Sequence, residues 1–186
     1  MGFSNVYEDA ERAEAYSKLE FPGTYYLAYR DLPKIIRRYV RGRKAVDFGC
    51  GTGRSTRFLE KLGFDVVGVD VSEDMLKKAR ELDPKGDYRL TKDDDFSQFE
   101  KQAYDLVLSV FTFDNIPTMQ NKVKIFTQLG RLLRNQGRII KRSLLTRNIR
   151  ARMGIVLNQG FSREQTRKKR RHRKNNPDRH RRQETS

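Results

Sequence analysis

The sequence predicts an α/β fold, in which a doubly wound, mostly parallel sheet carries helices on both of its faces. Short apolar runs alternate along the chain with segments whose apolar residues recur at helical spacing. A turn with three alternate glycines follows the first apolar run, and glycine or serine stands at several helix boundaries. Strands that alternate with helices in this way favour a parallel sheet covered on both sides.

The first 43 residues are predicted to form an N-terminal helical cap, or lid. Apolar residues recur at helical spacing over residues 4–20. Asp31 is expected to cap a second helix, whose early turn tolerates Pro33. Two helices are therefore expected before the first strand.

Residues 44–140 are predicted to form the core domain. A strand over residues 45–48 leads into the glycine turn, and a helix follows over about residues 54–62, where Gly63 stops it. Ser72 is expected to cap the next helix. The later elements are, in order, the strand DVVGVD, the helix EDMLKKAREL, the weak strand DYRLT, the strong strand YDLVLSVF, a helix that includes residues 123–133, and the strand RII after Gly137.

Length and composition limit the class of protein. A chain of 186 residues is long enough for one ordinary domain with a real core. No run approaches the roughly 18 apolar residues of a membrane span, and the first residues lack the pattern of a signal peptide. We therefore expect a cytoplasmic protein without a membrane partner. The single cysteine excludes a cysteine-based zinc site within one chain, and both histidines, His172 and His180, lie in the tail, so no metal site is predicted.

The glycine turn and two acids predict the ligand. Gly49, Gly51 and Gly53 form a GxGxG pattern, whereas nicotinamide-dinucleotide folds prefer GxGxxG. Asp47 precedes the turn, where a carboxylate would repel a pyrophosphate and attract a cationic ammonium or sulfonium. Asp70 ends the second strand, where a carboxylate can accept hydrogen bonds from ribose hydroxyls. A ligand with a cationic end and a ribose is expected; a turn without a ligand is the alternative.

The stretches VDFGCGTG, VVGVDVSEDMLKKAR and YDLVLSVF resemble the class I S-adenosylmethionine-dependent methyltransferases, of the kind grouped with small-molecule methyltransferases. The resemblance covers about residues 40–140 and implies a Rossmann-like fold with S-adenosylmethionine as the cofactor. It implies that the three glycines line the methionine and ribose parts of the cofactor. It also implies that Asp47 helps hold the amino group and that Asp70 binds the ribose hydroxyls.

The same resemblance implies further cofactor contacts. Met75 is expected near the adenine, and packing of this methionine in the core is an equal alternative. One acid in KDDDF is expected at the adenine amino group; Asp93 is favoured, with the Asp94 backbone beside it. The predicted cofactor-binding set is completed by Cys50, Val71 and Ser109. For the cysteine, a role as a small filler in the turn is favoured over a reactive thiolate.

Methyl transfer by in-line displacement needs alignment and exclusion of water more than a strong acid or base. The lack of histidine in the body is therefore no objection, and the catalytic residues stay unknown, with Tyr16 and Asp114 as candidates. Tyr16 would act from an aromatic lid, for which simple packing is the alternative. Asp114 could orient or deprotonate an acceptor, or could only close a loop. The other predicted lid residues are Tyr7, Tyr25, Tyr26 and Arg30.

Residues 141–186 are predicted to be a basic tail that departs from the family pattern. Residues 1–140 hold 24 basic and 21 acidic residues, whereas the tail holds 16 and 3. The family would continue with antiparallel edge strands, but no strand is expected after about Lys141, so these strands are missing or replaced. One interpretation is an arm that binds RNA or an anionic surface, and another is a solvated tail without a partner.

A third interpretation of the tail is a shift of the coding frame between about residues 137 and 142. Read one nucleotide out of frame, the tail can encode segments such as EIYAREWVSFSTKDFPENK, which have the aromatics and alternation of a sheet edge. The basic tail would then be a by-product, and the loss of edge strands would weaken the fold. Resequencing of the gene tests this hypothesis.

The leading functional hypothesis is methyl transfer from S-adenosylmethionine to a small molecule. The segment SVFTFDNIP lacks the [N/D]PP[Y/F] pattern with which amino-group nucleic-acid methyltransferases hold a base. Nucleic acid is therefore not expected at the core, although an RNA-binding or RNA-modifying protein that uses the tail is the alternative. A nicotinamide-dependent oxidoreductase is the third hypothesis. The acceptor, its reacting atom and the oligomeric state do not follow from the sequence.

Overall fold

A computed structural model describes residues 24–92, 95–143 and 152–157. Its helices are α1 (Thr24–Arg30), α2 (Leu32–Tyr39), α3 (Arg54–Lys61), α4 (Glu73–Leu82), α5 (Thr112–Asn115) and α6 (Met119–Leu132). Its strands are β1 (Lys44–Phe48), β2 (Asp65–Asp70), β3 (Asp87–Leu90), β4 (Tyr104–Val110), β5 (Leu133–Ser143) and β6 (Arg152–Leu157). The helix predicted over residues 4–20 lies outside the described residues.

The six strands form one sheet in the order β3-β2-β1-β4-β5-β6. β1 to β5 are parallel, and β6 is antiparallel to β5. After β3 the chain crosses over β1 to place β4 on its other side, so the order of strands reverses beside β1. Ligands of open α/β sheets bind at such a reversal, at the carboxyl ends of the strands. The predicted doubly wound, mostly parallel sheet is confirmed.

Two apolar cores cover the two faces of the sheet. On one face, α1, α2 and α3 pack on Ala45, Leu106 and Ile140. On the other face, α6 packs on Val46, Val107 and their neighbours. Successive residues of β1 therefore face opposite cores, as the pleat of a strand requires. Among the described residues, no helix has the length and apolar character needed to cross a bilayer.

The predicted helix caps have different outcomes. Ser72 caps α4 as predicted, because its side chain accepts a hydrogen bond from the Met75 amide. Asp31 stands at the cap position of α2 but makes no side-chain cap, which corrects the prediction. Its backbone has helical angles, φ −95° and ψ −11°, rather than the extended ones typical of a capping residue. Its carboxylate instead accepts two hydrogen bonds of 3.1 Å from Arg30.

Thr118 caps α6 and offers a clean test of helix capping in this fold. Its side chain accepts a hydrogen bond of 3.1 Å from the Asn121 amide, and the residue is exposed. Thr118→Ala is expected to lower the free energy of unfolding by about 1 kcal/mol, measured by urea denaturation. Thr118→Ser keeps the hydroxyl and serves as the control. An alanine variant as stable as the serine variant would contradict the capping role.

The edge of the sheet differs from the prediction in two ways. β5 begins at Leu133 rather than after Gly137, since the backbone of Leu133 is already extended at the end of α6. The expectation of no strand after Lys141 is corrected, because β5 continues to Ser143 and β6 pairs with it. The open edge of β5 offers unpaired backbone groups, and the segment RMGIVL contains β-branched residues that favour a strand.

The sheet extends past the predicted start of the tail. The proposed boundary at residue 140 falls inside β5. The first part of the supposed tail thus contributes the end of β5 and all of β6 to the sheet. The frame-shift hypothesis concerns the same residues and stays a hypothesis.

Candidate cofactor-binding site

The glycine turn joins β1 to α3 at the carboxyl edge of the sheet. Gly49, Gly51 and Gly53 have φ angles of +74°, +54° and +78°, in the left-handed region that favours glycine. The Gly49 amide donates a hydrogen bond of 2.8 Å to the Val69 carbonyl, and the Cys50 amide donates one of 3.0 Å to the same oxygen. The turn is therefore anchored to the end of β2.

Two side chains from distant parts of the sequence pack against the turn. A Cβ atom at Gly49 would lie 2.1 Å from the Thr112 Oγ1 atom, and one at Gly53 would lie 2.4 Å from the Tyr88 hydroxyl. Thr112 also donates a hydrogen bond of 3.1 Å to the Phe48 carbonyl. The shape of the turn thus depends on close approach as well as on φ. Sequence reasoning missed Thr112 and Tyr88, because no local pattern marks them.

Asp47 is fully buried, with 0% of its surface exposed. Its Oδ2 atom accepts hydrogen bonds of 2.6 Å from the Ser55 hydroxyl and 2.8 Å from the Thr56 hydroxyl, both in the first turn of α3. Its Oδ1 atom is buried without a hydrogen-bond partner among the described residues. Burial raises the pKa of this carboxyl to about 6, although both hydroxyls lower it. The unpartnered oxygen is therefore held where a positively charged group would stabilise the carboxylate.

Asp70 stands at the end of β2 and faces the glycine turn. Its Oδ2 atom accepts a hydrogen bond of 2.7 Å from the Gly51 amide, and its Oδ1 atom accepts one of 3.1 Å from the Ser72 amide. Burial raises the pKa of the Asp70 carboxyl, against the lowering effect of these backbone donors. Each carboxylate oxygen retains a lone pair after these bonds. Asp70 can thus accept further hydrogen bonds from a ligand.

The carboxylates of Asp47 and Asp70 face the same turn, and the charge of Asp70 raises the pKa of Asp47. None of the hydrogen bonds that these carboxylates make in the described parts of the chain comes from a basic side chain. Such a site attracts a cation and hydroxyl donors rather than a pyrophosphate. This geometry agrees with the ligand expected from the sequence.

Comparison with known families gives a match to a model described as a methyltransferase domain, over residues 46–141. This match spans more than half of the chain and contains the glycine turn and both carboxylates. The chain belongs to this methyltransferase domain family. The identification confirms the family resemblance seen in the sequence.

Curated relatives of this methyltransferase domain are similar over part of their length. A ubiquinone biosynthesis O-methyltransferase of Methylococcus capsulatus is 32% identical over 116 residues, which are 60% of this chain and 47% of the relative. A demethylmenaquinone methyltransferase of Tropheryma whipplei is 32% identical over 102 residues, which are 53% of this chain and 41% of the relative. The chain thus spans about half the length of the curated relatives it matches.

Solved structures share the methyltransferase fold. The CcbJ methyltransferase from Streptomyces caelestis is 25% identical, with a TM-score of 0.64 over 75% of this chain and 58% of that chain. The PH0226 protein from Pyrococcus horikoshii is 27% identical, with a TM-score of 0.59 over 70% of this chain and 66% of that chain. The parallel sheet and flanking helices are therefore common to these proteins.

The other residues predicted to bind the cofactor have different environments in this methyltransferase domain. Val71 follows Asp70 and is 41% exposed, so it borders the turn with an open apolar surface. Met75 is only 2% exposed at the start of α4. The Cys50 side chain lies in a small core with Leu76 and Tyr88, where its thiol donates a hydrogen bond to the Gly51 carbonyl, and burial raises the pKa of this thiol. This placement favours the filler role over a reactive thiolate.

Two predicted residues lie on β4 or just beyond it, and three lie outside the described parts of the chain. The Ser109 hydroxyl is buried in β4 without a partner among the described residues, on the face that packs on α6. Asp114 is exposed in α5, beyond the carboxyl end of β4. Asp93, Asp94 and Tyr16 lie outside the described residues.

Tyr26 and Arg30 are the predicted lid residues whose side chains the structure describes, so the lid stays a prediction. Tyr26 is 56% exposed, and the Arg30 guanidinium pairs with Asp31 on the surface of the protein. Sequence reasoning also missed Ser55 and Thr56, which hold the Asp47 carboxylate. Two adjacent hydroxyl residues in the first turn after a glycine motif could have signalled them. In the described ranges, no group of three or more acidic, histidine or cysteine side chains could hold a metal ion.

Proposed function

We propose that this chain binds S-adenosylmethionine at the glycine turn and transfers its methyl group to a small-molecule acceptor by in-line displacement. The observation that carries the proposal is the buried Oδ1 atom of Asp47, which has no partner among the described residues and lies beside a turn of three left-handed glycines. Membership of the methyltransferase domain family supports the same chemistry.

The residues present fit the parts of this cofactor. The free oxygen of Asp47 suits an ammonium group, because a buried carboxylate gains most from a charged donor. Asp70 offers lone pairs to ribose hydroxyls, and the exposed Val71 offers an apolar surface to an adenine. Glycine at position 51 lets the backbone approach the ligand closely.

When bound, S-adenosylmethionine supplies an electrophilic methyl group on a positively charged sulfur, which leaves as a neutral thioether. The chain's own residues then hold the ligand, border the acceptor and exclude water. Asp47 holds the amino group and Asp70 holds the ribose, on either side of the sulfur, and this fixed position provides the alignment that displacement needs. The segment from Phe111 to α5, just beyond β4, is placed to border the acceptor and to exclude water.

The acceptor is proposed to be a small molecule with a nucleophilic oxygen, nitrogen or carbon. The names of the curated relatives point to quinone precursors as their substrates. Phenols and hydroquinones are therefore the first acceptors to test. Transfer of a labelled methyl group from S-adenosylmethionine to one of them, identified by mass spectrometry, is the expected result.

Calorimetry with S-adenosylmethionine, S-adenosylhomocysteine and NAD tests the proposed cofactor. Binding of the first two and no response to NAD are expected, because two carboxylates at the turn repel a pyrophosphate. Tight binding of NAD without a response to the other two would overturn the proposal and favour the oxidoreductase hypothesis.

Asp70→Ala is expected to weaken binding of S-adenosylhomocysteine by about 1 to 3 kcal/mol, the scale of a lost charged hydrogen bond. The variant also frees the amides of Gly51 and Ser72, so thermal denaturation must show that it is folded. Asp65→Ala, at the amino end of the same strand, is the matched control and should leave the affinity unchanged. Unchanged affinity in Asp70→Ala would remove Asp70 from the site.

The RNA-binding hypothesis depends on the basic stretch after β6, which lies outside the described residues. It stays a prediction. A deletion that tests it should begin after Leu157, because a deletion from residue 141 would also remove the end of β5 and all of β6.

A further inference from the structure

A cavity lies at the amino ends of the parallel strands, and the glycine turn lies at their carboxyl ends. The cavity has a volume of about 360 Å³ and is bordered by α2, the residues just before β1 and the residues just after α3. Gly42 and Arg43 precede β1, and Phe64 precedes β2, so the cavity is at the amino ends of the parallel strands. The whole length of β1 separates it from the glycine turn, and it is not part of the proposed methyl-transfer site.

The floor of this cavity is apolar. Ile36 in α2 and Val40 just after it belong to the core that packs on the sheet. Leu62 and Phe64 follow α3 and are half-buried. The dimensions are in the range of sites for small molecules, roughly 300 to 1,000 Å³. An apolar part of a ligand would therefore be shielded from water here.

The rim of the cavity carries three guanidinium groups. Arg41 donates a hydrogen bond of 3.1 Å to the Arg37 carbonyl at the end of α2. Arg43 donates one of 3.0 Å to the Leu62 carbonyl at the end of α3. Each of these bonds uses one nitrogen, so further N–H donors stay available on both side chains. These two cations are thus held in place without being neutralised.

No carboxylate in the described parts of the chain forms an ion pair with Arg37, Arg41 or Arg43. Asp105 lies beside the cavity, where it accepts hydrogen bonds from the amides of Arg43 and Lys44 and pairs with Arg134 at 3.3 Å. Its charge is therefore already balanced elsewhere. The rim keeps a net positive charge.

The sequence around the cavity is strongly basic, although residues 1–140 as a whole are nearly neutral. Residues 34–44, KIIRRYVRGRK, contain six basic residues and no acidic one. A local excess of this size attracts anions to the cavity.

We propose that this cavity binds a small amphipathic anion, with a carboxylate or phosphate group at the three arginines and an apolar body on the floor. Guanidinium groups bind both kinds of anion through paired N–H donors. The apolar floor favours such a ligand over a simple inorganic anion, and the concave shape favours a small ligand over a polyanion that lies on the surface. This proposal is independent of the methyl-transfer proposal.

Titration of the full chain by heteronuclear NMR tests the proposal with four probes. 1-Naphthyl phosphate and 2-naphthoate carry the two anionic groups on the same apolar body, and their relative affinity distinguishes the two sources of charge. Inorganic phosphate carries the charge alone, and 2-naphthalenemethanol carries the apolar body alone. Saturable shifts of the amides of Gly42 and Gly63 are expected with one or both anionic naphthyl probes, which should bind at least about tenfold tighter than the other two probes.

Matched variants identify the arginines that bind. Arg37→Gln combined with Arg41→Gln is expected to weaken binding of the anionic naphthyl probes by about tenfold or more. Arg38→Gln is the control, since Arg38 lies on the same helix with its guanidinium over the Tyr39 ring and does not line the cavity. It should change the affinity by less than about twofold.

Four outcomes would overturn the proposal. Equal loss of affinity in Arg38→Gln would indicate a diffuse basic surface that attracts polyanions. If inorganic phosphate binds as tightly as the naphthyl anions, the cavity is a simple anion site. If 2-naphthalenemethanol binds as tightly as the naphthyl anions, the cavity is an apolar pocket. Shifts at the glycine turn instead of at Gly42 and Gly63 would place the probes in the cofactor site. If the double variant fails to fold, the amide shifts of Gly42 and Gly63 in the unmutated chain still test the proposal.

Discussion

Asp47→Asn is expected to weaken binding of S-adenosylhomocysteine by about 10- to 100-fold, because a buried charge-assisted hydrogen bond contributes roughly 1.5 to 3 kcal/mol. This ligand carries the same amino group as the methyl donor. The asparagine keeps the size of the side chain, and its amide can still bond to Ser55 and Thr56. The loss would therefore report the charge of Asp47 rather than its packing, and calorimetry measures it directly.

The same variant should change how stability depends on pH. Burial raises the pKa of Asp47 from 3.8 to about 6, so the folded state disfavours the charged form. The resulting destabilisation of the ligand-free protein is absent below pH 3.8 and complete above about pH 6, where it amounts to roughly 3 kcal/mol. Asp47→Asn lacks this titration. Its unfolding free energy relative to the natural chain should rise by about that amount from pH 4 to pH 7.

Asp65→Asn is the matched control for both experiments, since Asp65 is exposed at the amino end of β2. It should leave the ligand affinity and the pH dependence as they are in the natural chain. Binding in the natural chain should weaken as the pH falls below about 6, where protonation removes the charge of Asp47. Equal affinity of Asp47→Asn and the natural chain at pH 7 would rule out an ammonium partner for this carboxylate.

Gly49→Ala is expected to lower the free energy of unfolding by about 3 kcal/mol and to abolish detectable cofactor binding. The new Cβ would lie 2.1 Å from the Oγ1 atom and 2.2 Å from the Cγ2 atom of Thr112, so the turn or α5 must move. The φ angle of +74° adds strain of about 1 to 2 kcal/mol for any residue with a Cβ. Urea denaturation and calorimetry measure the two effects.

A double-mutant cycle separates the clash from the strain. In a Thr112→Gly background the clash is absent, so Gly49→Ala should lower stability by only about 1 to 2 kcal/mol. Gly130→Ala in α6 is the control, because its Cβ would have no neighbour within 4 Å. It should stabilise the helix by about 0.5 to 1 kcal/mol. The same loss for Gly49→Ala in both backgrounds would show that Thr112 does not restrict the turn.

The sequence predicted the features of this fold that depend on neighbouring residues. Period-two and period-3.6 apolar patterns located the strands and helices from β1 to α6 except the short helix α5, and Ser72 and Gly63 marked helix ends. The prediction erred where a distant partner decides the structure. RMGIVL becomes β6 because β5 offers an open edge.

The sequence by itself determined the family, the glycine turn and the two acids. Asp47 lies just before the GxGxG pattern and Asp70 ends the next strand, so short stretches of sequence contain all of these features. Only the tertiary structure decided how those acids are held. Ser55 and Thr56 occupy one oxygen of Asp47 and leave the other without a partner among the described residues, while Thr112 and Tyr88 approach the turn from distant segments. The arginine-rimmed cavity likewise needs α2 and the end of α3 to meet. Contacts of this kind depend on packing between elements, which no local pattern records.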